Sequence, residues 1–163
     1  MKKLILASSL ALLAISAQAQ TAGYYAGAEM FNNRFSDGLG STTGGGMFAG
    51  YRLGNGLAVE VNGNRIGKVD TGVVKASVSQ MSISALYSLP VSNTVSVFGR
   101  LGYGGMRVSD ADSARDRGVK LDNGMIYGGG ISYQVNKQVA IRGEFRKPEK
   151  DIRGFGVGVS YNF

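Results

Sequence analysis

The chain has 163 residues, 44% of them hydrophobic, with 26 glycines, no Cys, no His, no Trp and a formal net charge of +7. These figures remove a disulfide framework, thiolate metal sites, the commonest general base and the histidine-containing triads. The basic residues are scattered singly along the chain rather than gathered on one face, so nucleic acid is not an expected partner.

The chain opens with Lys2 and Lys3, an apolar run from Leu4 to Ile15, and the small-residue sequence Ala17-Gln18-Ala19. This is the pattern of a cleaved secretory signal, and the run is well short of the roughly 20 residues that a spanning helix needs. The expected division is a signal over residues 1–19 and one domain over residues 20–163. Losing Lys2 and Lys3 takes the net charge from +7 to +5. No later segment has the length of a membrane helix, so an exported chain of this kind can span a bilayer only as a closed barrel.

Eight segments then alternate with the period of two that marks strands. In the first, Tyr24 to Phe35, Tyr24, Ala26, Ala28 and Met30 oppose Tyr25, Gly27, Glu29 and Phe31. The second, about Thr43 to Leu53, sets Met47, Ala49 and Tyr51 against Phe48, Gly50 and Arg52. After the tight-turn signal Gly54-Asn55-Gly56, Leu57, Val59 and Val61 alternate with Ala58, Glu60 and Asn62. The fourth, Val73 to Leu89, changes phase near Ser79-Gln80, which predicts a bulge there. The fifth, sixth and seventh cover Val95 to Val108, Met125 to Val135 and Val139 to Arg146.

The eighth, Ile152 to Phe163, has the plainest alternation: Phe155, Val157, Val159, Tyr161 and Phe163 interleave with Gly154, Gly156, Gly158, Ser160 and Asn162. In a soluble sheet the apolar face meets a second layer. In a membrane barrel it meets lipid, and the small or polar face lines the interior. Connections after the second, fourth and sixth segments are short: Gly54 to Gly56, Pro90 to Asn93, and Asn136-Lys137. The others are more polar and mostly longer: Ser36 to Thr42, Lys68 to Gly72, Ser109 to Asn123, and Lys147 to Asp151. That asymmetry is the outer-membrane pattern, and an even strand count puts both termini on the periplasmic side.

With the segments placed, the chain resembles the outer-membrane protein A-like family of eight-stranded barrels. The resemblance is carried by Gly50-Tyr51-Arg52-Leu53 leading through a turn into Leu57-Ala58-Val59-Glu60 and by Phe98-Gly99-Arg100-Leu101-Gly102. It continues in Gly129-Gly130-Ile131-Ser132-Tyr133, in Ile141-Arg142-Gly143-Glu144-Phe145, and in the closing Gly158 to Phe163. It implies an all-β, up-and-down transmembrane barrel. It also implies that the terminal strand, with Tyr161 and Phe163, is the signal read by the barrel-assembly machinery. The chain ends with its last barrel strand, so it is expected to be like the short relatives that lack a peptidoglycan-binding domain.

The charges of the strands fall on the face opposite the greasy one: Glu29, Arg52, Glu60, Arg100, Arg142, Glu144 and Arg146 are expected inside. In a narrow interior they must pair and hydrogen-bond. Packed, they close the barrel; exchanging partners, they open a narrow water path. Near the outer rim, Lys68, Lys75, Arg107, Arg117, Lys150 and Arg153 are candidates for lipopolysaccharide phosphates. The loop acids Asp110, Asp112, Asp116 and Asp122 lack calcium-loop spacing. No catalytic, cofactor or metal site is expected.

The resulting expectation is an outer-membrane barrel of a Gram-negative bacterium with a structural and surface-interaction role. Its partners are outer-membrane lipid, lipopolysaccharide, the assembly machinery and a host or surface ligand met by the loops. A small channel is the alternative. An outer-membrane enzyme is disfavoured by the lack of His, and a soluble lipocalin-like carrier would place the two faces the other way round.

Overall fold

The computed structural model describes residues 22–35, 41–70, 75–110, 119–149 and 152–163. Eight antiparallel strands, β1 (Gly23–Phe35), β2 (Ser41–Arg52), β3 (Leu57–Asp70), β4 (Lys75–Pro90), β5 (Val95–Asp110), β6 (Val119–Gln134), β7 (Val139–Glu149) and β8 (Ile152–Asn162), follow one another round a closed barrel. Each pairs with its sequence neighbours, and β1 pairs with β8 from Tyr25 opposite Asn162 to Phe35 opposite Ile152. The expected signal and most of the expected long connections lie outside the described residues. Among those described, no helix is long and apolar enough to cross a membrane.

The short connections share one end with the termini, and each is held by a side chain or a glycine. Gly54 and Gly56 take φ of 86° and 84°, values that favour glycine because it has no Cβ. Ser92 Oγ accepts from the amides of Thr94 and Val95, and Asn136 Oδ1 from those of Gln138 and Val139. These are the local bonds by which Ser and Asn reverse a chain.

Three expectations are corrected, the first two at the other end. The strands run further than the apolar alternation: β3 through Lys68 to Asp70, β5 to Asp110, β6 back to Val119 and β7 to Glu149, so much of the expected long connections is ladder. Backbone pairing continues past the lipid-facing band, where side-chain polarity no longer alternates. The bulge sits on a different strand. β4 pairs with β5 without interruption from Ala76 to Pro90, whereas the β3 to β4 register shifts between Arg65 and Gly67, so the extra residue is Ile66. β4 itself runs regularly through Ser79-Gln80, so the phase change there belongs to its side-chain sequence and not to its backbone.

The third correction concerns the interior. Its polarity is inverted as the terminal strand implies: Tyr133, Val157 and Phe163 are 50%, 55% and 80% exposed, while Arg100 and Glu144 are 4% and 1%. Yet the lumen is not only small and polar. Tyr25, Phe31, Phe48, Leu86, Phe98 and Ile126 are buried inside it. The geometry explains how they fit. A row of paired residues begun at Gly23 passes Arg52, Ala58, Leu86, Arg100, Gly128, Arg146 and Gly154 and returns to β1 at Asn33, ten residues further along. Eight strands with that stagger enclose a lumen that side chains fill.

Room for rings comes from glycine directly opposite. Tyr25 faces Gly50, Phe48 faces Gly27, Phe31 faces Gly156 and Phe98 faces Gly130. A Cβ on Gly50 would lie 2.6 Å from the Tyr25 ring, and one on Gly156 would meet the Phe31 ring and lie 2.6 Å from the Met30 carbonyl oxygen. Tyr25, Phe48, Ala58, Leu86 and Phe98 thereby form an apolar cluster in the half of the barrel nearer the short turns. Gly156→Val is expected to cost about 1–3 kcal/mol by overpacking. Gly143→Val, on the outer face with open space around it, is expected to be neutral or mildly stabilising. Urea midpoints of the refolded barrel in micelles measure both.

Candidate functional site

The alternation that turns apolar side chains outward turns one charged residue after another onto the same inner column. Glu29 comes from β1, Glu60 and Asn62 from β3, Arg100 from β5, and Arg142, Glu144 and Arg146 from successive inward positions of β7. Glycine again provides the space, since Arg142 lies opposite Gly158, Glu144 opposite Gly130 and Gly156, and Arg146 opposite Gly128 and Gly154.

The three carboxylates and three guanidiniums form one continuous cluster. Arg100 bridges two glutamates, with Nη2 2.7 Å from Glu60 Oε1 and Nε 2.6 Å from Glu144 Oε1. Arg142 bridges two more ends, with Nη1 2.7 Å from Glu60 Oε2 and Nη2 2.6 Å from Glu29 Oε2. Arg146 closes the ring, 3.2 Å from Glu29 and 3.0 Å from Glu144. Asn62 accepts from Arg100 Nη1 at 3.1 Å and donates to Glu60 at 2.9 Å, and the Tyr25 hydroxyl donates to Glu60 Oε2 at 3.0 Å.

Two rings cover the cluster. The Arg142 guanidinium stacks 3.6 Å from the Phe48 centroid, and that of Arg146 lies 4.4 Å from Phe31. Positive and negative charges are equal in number, both nearly free of water contact. Such a cluster holds together only because each charge has several partners; removing one leaves an uncompensated charge in a medium that cannot solvate it. One donor, Arg142 Nε, has no hydrogen-bond acceptor, and its nearest carboxylate oxygen is Glu144 Oε2 at 3.9 Å.

The structure brings six of the seven expected interior charges together. Arg52 is also turned inward but makes no ion pair among the described residues: it lies half-buried at the turn end, donates to Asn162 Oδ1 and stacks 4.4 Å from the Tyr25 ring. Its distance from the cluster follows from its place at the last residue of β2. Sequence reasoning passed over Asn62, Tyr25, Phe31 and Phe48 as parts of the site. Their signal was parity: Asn62 and Phe31 stand two residues from Glu60 and Glu29, and Tyr25 and Phe48 share the inward parity of Glu29 and Arg52, four residues along their strands. Above the cluster, Phe31, Asn33, Asn64, Gln80 and Arg146 line a small open cleft.

Of the expected rim cations, Arg153 is exposed on the outer face of β8. Lys68, Lys75 and Arg107 fall on strands at positions whose side chains lie outside the described set, as do Arg117 and Lys150 altogether. Among the loop acids, Asp110 and Asp122 are strand residues, and Asp112 and Asp116 lie outside the described residues. Tyr161 and Phe163 face outward beside one another, with ring centroids 5.3 Å apart.

A family model described as outer membrane protein beta-barrel domain matches residues 5–163. Among solved structures, Neisserial surface protein A is 22% identical, with a TM-score of 0.73 over 88% of this chain and 100% of that one. The N-terminal barrel domain of Pseudomonas aeruginosa OprF is 16% identical, with a TM-score of 0.61 over 88% and 100%. Ail of Yersinia pestis, the attachment invasion locus protein, crystallised with the heparin analogue sucrose octasulfate, is 17% identical, with a TM-score of 0.59 over 87% and 97%. No curated protein matches the sequence.

Glu60 has the most partners in the cluster. Glu60→Gln is expected to destabilise the barrel by about 3–5 kcal/mol, the cost of stranding a buried partner charge. Glu60→Gln with Arg100→Gln, which removes charge in equal numbers, is expected to recover part of that loss. Equilibrium unfolding of the two variants and the single Arg100→Gln gives the coupling.

Proposed function

This chain belongs to the outer membrane protein beta-barrel domain family, and we propose that within the outer membrane it serves as a closed structural barrel whose exterior connections meet surface ligands. The observation that carries the reading is the double obstruction of the lumen. A charge-balanced cluster crosses it at mid-height, and an apolar cluster fills it on the turn side. With the interior filled, recognition is left to the segments between β1 and β2, β3 and β4, β5 and β6, and β7 and β8. Loops borne on a rigid scaffold are where binding residues concentrate.

The orientation follows the outer-membrane rule that short turns face the periplasm and longer loops the exterior. A surface role is supported by the company this fold keeps, which includes a Neisserial surface protein and an attachment protein solved with a heparin analogue. Lipopolysaccharide is the expected lipid partner and the assembly machinery the expected reader of Phe163. A low-conductance channel is the second reading, favoured by Arg142 Nε, a buried donor lacking an acceptor and so open to exchange between Glu60 and Glu144.

Planar-bilayer recording on refolded protein separates the two, because a sealed lumen predicts almost no steady current and a channel predicts discrete openings. For the surface role, deletions of residues 36–40, 71–74, 111–118 and 150–151 are scored one at a time for attachment of the parent cell to host surfaces. Loss with at least one deletion, at unchanged barrel folding, is the expected result; attachment untouched by all four refutes it.

A further inference from the structure

On the outer face of the barrel, at the end away from the termini, Arg34 of β1 lies directly opposite Arg153 of β8. Both are exposed and both point away from the lumen, since their neighbours Asn33 and Gly154 are buried. Lys147 lies on the next strand: it follows Arg146, which pairs with Gly154, and its Nζ is 5.9 Å from the outward Tyr127 ring. Among the described residues none of these three cations has an ion-pair partner.

Like charges directly opposite one another on paired strands repel. Here they do so near the top of the ladder that closes the barrel, with no carboxylate among the described residues to offset them. Their height identifies what does. Two residues nearer the middle on the same face are Asn32 and Phe155, and then Met30 and Val157, of which Met30, Phe155 and Val157 are more than half exposed. The cations therefore stand just beyond the apolar band, at the level of lipid headgroups. Guanidiniums bind phosphate oxygens in a fork geometry suited to bridging.

We propose that Arg34, Arg153 and Lys147 form a binding site for a phosphorylated lipid headgroup of the outer leaflet, and that the bound phosphate joins β1 to β8 at the closure seam. The proposal deepens the lipid partnership above and rests on the membrane reading, not on the loops. Symmetric vesicles offer the lipid at both rims, so the outcome is independent of orientation and of any adhesive role.

The test uses the full chain refolded into phosphatidylcholine vesicles with and without lipid A, reading the midpoint of thermal unfolding and the retention of labelled lipid A. Lipid A is expected to raise the wild-type midpoint by about 2–4 °C, the response of a domain this size to a modest binding energy. Arg34→Gln with Arg153→Gln is expected to abolish that rise and weaken retention about fivefold per arginine. In phosphatidylcholine alone this variant is expected to unfold at or above the wild-type midpoint, because the repulsion is gone. Arg65→Gln, an exposed arginine on β3, is expected to keep the rise. Undiminished retention by the double variant overturns the site. So does a double-variant midpoint already lowered without lipid A, since the arginines would then be stabilising the seam by themselves. An equal rise with inorganic phosphate at matched concentration overturns the lipid assignment in favour of a free anion.

Discussion

Everything inside this barrel is governed by one constraint: charges placed where water cannot follow must neutralise one another completely. Eight strands with a ten-residue stagger enclose a lumen that side chains fill, and the apolar outer surface faces lipid. Within the lipid-facing band, charged side chains on the strands have only the axis to occupy. Three glutamates and three arginines meet there in equal number, each carboxylate held by at least two guanidiniums. Such a cluster adds little net stability over an apolar filling, since desolvation cancels much of the attraction. What it does enforce is register. A shift of one strand by one residue would turn a glutamate or arginine toward lipid.

Glycine is the complement of that constraint. The inner rings and the inner charges are each set against glycine on a neighbouring strand, so volume missing on one strand is filled from the next. The lumen is thus packed by pairs rather than by layers of similar residues. This also explains why outward glycines such as Gly63, Gly99 and Gly143, which have nothing within 4 Å of a built Cβ, differ in meaning from inward ones. Inward glycines such as Gly50, Gly130 and Gly156 are steric necessity, whereas these three outward ones only leave gaps in the lipid-facing surface.

The fold was legible because its signal is a period of two with inverted polarity, strongest in β8, where from Gly154 on every second residue is aromatic or aliphatic and the rest are small or polar. Inward charges were legible for the same reason. The filling of the lumen by Phe31, Phe48 and Phe98 was not, because a lone ring on the polar face becomes interpretable only when the facing glycine is known, and that depends on register. The bulge expected at Ser79-Gln80 is absent and one lies instead at Ile66 of β3, since the apolar phase of a sequence can change without any extra residue in the strand. The strand ends beyond the apolar band escaped notice because backbone hydrogen bonds, unlike side chains, leave no hydrophobic pattern. The pairing of Arg34 with Arg153, nearly the whole chain apart, was equally out of reach.

Every ladder but one joins consecutive strands, so hairpins can form in the order of the chain while β1 and β8 wait at opposite edges. Glu29 belongs to β1, yet its two arginines belong to β7, on the far side of β8. Until the edges meet, Arg142 and Arg146 lack one of their acceptors and Glu29 lacks both donors. Zipping the seam and completing the central electrostatics are consequently a single cooperative event, late in folding. An unclosed intermediate would carry both a bare sheet edge and unquenched charge, and such a species can survive only while something else shields it.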